Sequence, residues 1–257
     1  MSGTNPVNGG AAARFDVAEL ADFGAALLRA VGLDADKARD VAEVLVEGDL
    51  LGHDTHGLHL LGGYLGELEK GTMTANGDPG VIAERSSVAT WDGRRLPGPW
   101  LVRRALAWAA PRAREHGTAT VAIRRSHHIA CLAAYLEQPA RDGLMVVIAS
   151  SDPAVGSVAP FGGTQPVFTP NPMAVGIPAS AGPVMIDISA SSWQSPPSDR
   201  RAPAARDRRP ASAVPTRGGS MPRAGRATTR PCCSPTRRAR SCRWAGSMRV
   251  TRATGWR

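Results

Sequence analysis

The chain changes chemical character at Trp193, and one hydrophobic core cannot be built across that break. The last 64 residues, Gln194 to Arg257, contain 16 Arg and two Asp, with no Lys, Glu, Leu, Ile, Phe or Tyr. Subtracting these from the chain's 31 basic and 22 acidic residues leaves 15 and 20, so Met1 to Trp193 carries −5 and the remainder +14. The net charge of +9 therefore describes neither part, and it does not mark the whole chain as a basic, nucleic-acid-binding protein. Ordering a backbone costs roughly 1–2 kcal/mol per residue, and a segment without branched aliphatics beyond valine has little apolar surface to offset it. A disordered basic tail is expected over 194–257, with a flexible N-terminus over 1–14 and the folded part over 15–193.

The folded part is rich in Ala, Val and Leu and long enough for a sizeable core. Only one of the four cysteines, Cys131, lies in it, which implies no disulfide framework and suits reducing conditions. The N-terminal MSGTNPVNGGAAARFD has neither a basic nor an apolar export region, and no stretch approaches the ~20 apolar residues of a membrane span. A cytoplasmic protein without membrane association is expected.

Hydrophobic periodicity gives the element order. Asp16 and Glu19 make a capping-box-like start for a helix in which Leu20, Phe23, Leu27 and Leu28 recur until Gly32. Asp34 starts a second helix with an apolar face of Ala38, Val41, Ala42, Leu45 and Val46. Asp54 and Thr55 are placed to cap a third, from His56 to Gly71. Val81 to Trp91 reads as a strand or hairpin arm, Leu101 to His116 as a helix stopped by Gly117, and Thr118 to Ile123 as a strand. A helical stretch over Cys131 to Arg141, a strand over Leu144 to Ala149, a Pro/Gly-rich crossing and a buried strand Val184–Ile186 complete the pattern. Helices and strands alternate, so the class is α/β, yet no Gly-x-Gly-x-x-Gly joins a strand to a helix and a Rossmann site does not follow.

Three polar clusters can carry chemistry. The first, Gly52-His53-Asp54-Thr55-His56-Gly57-Leu58-His59, lies at the start of the expected third helix, whose N-terminal N–H groups would favour an anionic substrate. Its histidines are spaced by three, unlike the His-Glu-x-x-His of helical metal sites, and no metal is assigned; solvated or structural histidines are the plain alternative. The second, Arg124-Arg125-Ser126-His127-His128, follows a strand, a common location for active groups in α/β proteins. The third is Asp187 at a strand end, followed by small hydroxyl residues; a terminating turn explains it equally well.

In this order LVEGDLLGHDTHGLHLLGGYL, TATVAIRRSHHIACLAAYL, GLMVVIASSDP, APFGGTQPVFTPNPMAVGIP and VMIDISASS resemble the malate/L-lactate dehydrogenase family of NAD(P)-dependent oxidoreductases, which includes sulfolactate, diketogulonate and cyclic-imine reductases. The resemblance runs from about Phe15 to Ser192. It implies an α/β, non-Rossmann malate/L-lactate dehydrogenase-like fold, here incomplete, that forms a homodimer and exchanges hydride between NAD or NADP and a small 2-oxo or 2-hydroxy carboxylate. By the same resemblance His56 is the proton donor and acceptor, with Asp187 and His128 the other catalytic groups. Cofactor contacts fall on Ser126, His128, Ile186, Asp187, Ile188, Ser189, Ala190, Ser191 and Ser192, and Asn171-Pro172 matches a family turn. One departure touches the substrate: many members carry an Arg four residues after the catalytic His, where this chain has Leu60, which leaves Arg124 and Arg125 as alternative carboxylate partners.

Two readings of the tail follow. A reading-frame change in a GC-rich gene yields Arg, Pro, Ala and Gly in place of the family's C-terminal part, so that the enzyme as written is weakly active or inactive. The rival is a non-catalytic fragment whose Arg-rich arm binds nucleic acid or another anionic surface without sequence preference.

Overall fold

The computed structural model describes residues 14–152, 156–160 and 163–189 and the backbone of 245–252. The chain divides into two units, Met1–Ser195 with Arg243–Arg257 and Pro196–Cys242, and the second lies wholly outside the described residues.

Two helices open the fold. Helix α1, Val17–Ala30, is capped by Asp16, whose Oδ1 accepts from the N–H groups of Ala18 (2.9 Å) and Glu19 (3.1 Å); Gly32, at φ +94°, turns the chain after it. The buried face of α1 is Gly24, Ala25 and Leu28, while Phe23, expected on it, is 61 % exposed. Gly24 lets the helices approach: a Cβ there would lie 3.3 Å from that of Ala42. Helix α2, Ala35–Leu50, buries Ala38, Val41, Ala42, Leu45 and Val46 as its periodicity requires.

The expected third helix does not begin at His56. Two short 3-10 turns, Asp54–His56 and Leu58–Leu60, precede α3, Leu61–Glu69, so His56 stands on a turn rather than at an α-helix N-terminus. A hairpin of β1, Gly80–Glu84, and β2, Val88–Asp92, leads into α4, Gly98–His116, which ends at Gly117 with φ +81°. Then come β3 (Thr118–Arg124), a 3-10 turn (Leu132–Tyr135), α5 (Glu137–Arg141), β4 (Leu144–Ala149), β5 (Met173–Ile177) and β6 (Val184–Ile188).

A last strand, β7 (Ala245–Arg252), is an exception to the disorder expected of the tail; residues 190–244 and 253–257 are outside the described residues. The sheet order is β1-β2-β3-β7-β4-β5-β6. Among the described residues only β2 and β3 pair in parallel, joined through α4, and β7 fills the slot between β3 and β4 antiparallel to both. The core gathers Leu28, Leu45, Leu101, Val121, Leu136 and Val146, all fully buried. At the other end β6, expected to be buried, is an edge strand with Val184, Met185, Ile186 and Ile188 between 37 and 50 % exposed.

Candidate active site

The His-Gly step is held by the end of α2. The Leu58 N–H donates to Asp49 Oδ2 (2.9 Å), and the approach is so close that a Cβ on Gly57 would lie 1.8 Å from Asp49 Oδ1. Gly48 is constrained too, less severely, since a Cβ there would meet the His56 carbonyl oxygen at 2.9 Å and Cys131 Cβ at 3.3 Å. Gly57 has φ −94°, so the requirement for glycine there is space, not conformation. The chain thus turns tightly around Asp49 and presents Thr55 and His56, with Thr55 Oγ1 2.9 Å from His56 Nδ1.

Facing His56 is the second cluster. The His56 and His128 rings stack at 25° with centroids 5.8 Å apart. Three features fix His128: the Ala130 N–H donates to its Nδ1 (3.2 Å), the Tyr64 hydroxyl donates to its carbonyl oxygen (3.0 Å), and the same hydroxyl lies 3.2 Å from Nδ1. With Nδ1 an acceptor, the neutral ring carries its proton on Nε2. Burial, with the neighbouring charges of His56 and His127, holds His128 down at about 4 against the partial opposition of Asp152. Burial followed by His53 lowers His56, and Asp187 opposes that shift. At neutral pH the two imidazoles are therefore mainly uncharged. Gly98, at the start of α4, makes room for this arrangement: a Cβ there would sit 2.2 Å from the His128 carbonyl oxygen.

Asp187 reaches the same region from β6. Its Oδ2 accepts from the Ala133 N–H (2.9 Å) and lies 3.9 Å from Cys131 Sγ, so its influence on His56 is through charge. Strand alternation sends Ile186 and Ile188 to the opposite face from Asp187, and the side chains of the expected cofactor stretch do not share one surface. Ser189 Oγ donates to the Pro170 carbonyl (3.3 Å); Ala190, Ser191 and Ser192 lie outside the described residues. Ser126 Oγ donates to the His127 carbonyl (2.7 Å), bracing the strand exit. Asn171, in the Asn-Pro turn, adopts φ +47°, and the Pro172 carbonyl accepts from the Ser150 N–H (3.1 Å).

Arg124 and Arg125 are already engaged. Asp92, at the end of β2 and 7 % exposed, accepts from Arg125 Nε (2.7 Å), Arg125 Nη2, Arg124 Nη2 (3.2 Å) and the Arg94 N–H (3.0 Å). The Arg125 hydrogen bonds are the largest influence on its carboxyl, which falls to about 2. Leu60, four residues after His56, packs against the core. His127 faces Glu67, its Nε2 3.6 Å from Oε2. Asp49, Tyr64 and Asp92 shape the candidate site from outside the three polar clusters of the sequence; Gly48 and Gly57 are the local signal for the first.

The order and placement of these groups recur in known proteins. The family model for malate/L-lactate dehydrogenase matches residues 15–196. The chain is 32 % identical over 179 residues to hydroxycarboxylate dehydrogenase B of Escherichia coli (strain K12), covering 69 % of this chain and 50 % of that one. It is 34 % identical over 167 residues to a (2R)-3-sulfolactate dehydrogenase (NADP(+)) of Chromohalobacter salexigens, covering 65 % and 49 %. The chain thus spans about half the length of these relatives. Among solved structures, a dehydrogenase from Sinorhizobium meliloti superposes with a TM-score of 0.65 at 37 % identity, covering 71 % of this chain and 53 % of that one. The malate dehydrogenase of Entamoeba histolytica gives 0.66 at 29 % identity, with 70 % and 50 % covered. Motif order, fold and the matched 15–196 segment agree: the chain belongs to the malate/L-lactate dehydrogenase family.

Proposed function

We propose that residues 15–193 carry the acid/base part of an NAD(P)-dependent oxidoreductase that interconverts a 2-oxo and a 2-hydroxy carboxylate, in a protein that functions as a homodimer. The observation that carries this reading is the stacked pair His56 and His128, two desolvated imidazoles with their Nδ1 atoms each engaged. Reducing a ketone requires a proton on oxygen as hydride reaches carbon, and the nicotinamide, when bound, supplies or accepts that hydride. With Nδ1 tied to Thr55, His56 exchanges the proton through Nε2. His128, neutral with its proton on Nε2, offers a fixed donor to a substrate oxygen without adding charge beside a cationic nicotinamide. The Asp187 carboxylate offsets the positive charge that His56 gains on protonation. The donor set fits the ring's needs, while no Gly-rich phosphate cradle occurs among the described residues.

The test is NADH and NADPH consumption against a panel of 2-oxo acids and cyclic imines, run on the chain as written and on a frame-corrected full-length chain. Turnover is expected in the corrected chain, and His56→Ala should lower kcat by about 10²–10⁴-fold. Full turnover in that variant would remove His56 from the mechanism.

For residues 194–257 the same reading favours a change of reading frame over an anion-binding arm, because the residue types lost include the aliphatics on which a dehydrogenase core depends. A one-base correction that restores a family-like continuation is the expected result of resequencing the gene. A verified frame encoding this tail would defeat it.

A further inference from the structure

We propose that His53, Cys131 and Asp187 form a binding site for a thiophilic divalent cation of the zinc class, set beside the catalytic imidazole. The three side chains come from separate parts of the fold: the turn after α2, the residue before the Leu132–Tyr135 turn, and β6. One ligand atom from each lies within 4.8 Å of the other two, and Cys131 Sγ and Asp187 Oδ2 are 3.9 Å apart. Imidazole nitrogen, thiolate sulfur and carboxylate oxygen are the donors zinc accepts, and three protein ligands with an open fourth position form a recognised coordination set. Bonds of roughly 2.0–2.3 Å in a tetrahedron place donors some 3.3–3.8 Å apart, so closure needs a contraction of about 1 Å. His53 can provide it, because it is half-buried on a turn outside any α-helix, whereas Cys131 is buried and Asp187 is held by the Ala133 N–H.

Charge favours the assembly as well. Binding releases the thiol proton to solvent, after which thiolate and carboxylate cancel the ion's two positive charges, leaving a neutral cluster in a half-buried setting. No electron transfer is involved. The histidine spacing in the sequence gives no sign of this site, since only one of those histidines takes part and its partners lie far along the chain. On the dehydrogenase reading, an ion here would draw off the Asp187 charge that supports protonated His56 and so inhibit reduction. The binding itself does not depend on that reading.

The experiment is a Co2+ titration of the full chain with Cys232, Cys233 and Cys242 replaced by Ser, followed by displacement with Zn2+, all without substrate or cofactor. One ion per chain is expected, with a thiolate-to-cobalt charge-transfer band. Cys131→Ala should abolish the band, and His53→Gln, a change on a partly exposed turn that leaves the core alone, should weaken binding at least tenfold. No band in the parent chain, or equal affinity in His53→Gln, overturns the proposal. Loss of dehydrogenase activity in the same chains would bear on the mechanism and not on the ion.

Discussion

His128 illustrates how the site stores a pH dependence in one side chain. Its ring is neutral because it is buried and its Nδ1 is occupied by the Ala130 N–H, while the same residue in an unfolded chain titrates near 6.5. Below that value the unfolded chain gains a proton that the native ring accepts only near 4. Stability that is complete above pH 6.5 is therefore lost as the pH falls toward 4, by on the order of 3 kcal/mol. Urea unfolding at pH 7.5 and 4.5 measures the slope, and His128→Gln should flatten it; an unchanged slope would show that His128 takes up its proton alike in the folded and unfolded chains. Asp92 runs the other way in sign of charge but loses stability in the same direction. Its carboxyl, drawn down by Arg125, Arg94 and Arg124, contributes above about pH 4, and that contribution disappears as the pH falls through about 2. The two groups thus act in different windows, and only the upper one responds to the His128 substitution.

At the level of elements, local chemistry revealed the structures whose residues determine their own conformation. Asp16, the Ala/Val/Leu face of α2, Gly117 after α4 and the β-branched run of β3 each carry a signal within a few residues, and each lies where that signal places it. The failures are elements fixed from a distance. The stretch after Asp54 is broken into 3-10 turns because the Leu58 N–H turns back to Asp49, nine residues away, and a helical pattern cannot show that bond. β5 was hidden in the Pro/Gly-rich crossing, because its residues become a strand by pairing with β4 and β6. The candidate site was legible in the same uneven way. Its histidines and Asp187 stood out in ordered motifs, while Asp92, which occupies both arginines, lies just past the expected strand and in none of those motifs. Phe23, apolar and in helical register, faces outward, since packing against Ala42 at Gly24 decides which side of α1 is buried.

For the molecule as a whole, the decisive feature is the slot between β3 and β4. Both strands alternate buried and less buried side chains, and neither pairs with the other; each instead pairs along its length with β7. An empty slot would leave two rows of backbone N–H and C=O groups without partners in the middle of a sheet, a cost set by the need to satisfy buried polar groups. Some strand must therefore occupy it. The residues that do so, Ala245–Arg252, alternate polar and apolar side chains only over Ser247–Thr251 and come from the Arg-rich segment, which is why composition gave no warning of them. Main-chain pairing asks little of side-chain identity, so a segment of unsuitable composition can still complete a ladder. A chain ending at residue 244 should unfold at lower urea than the full chain and associate through the two exposed strand edges, measured by denaturant titration and light scattering. Equal stability of the two chains would mean that β7 is dispensable and that the slot is closed by other means. A frame-corrected chain more stable than both would place the native occupant of the slot in the family's own continuation.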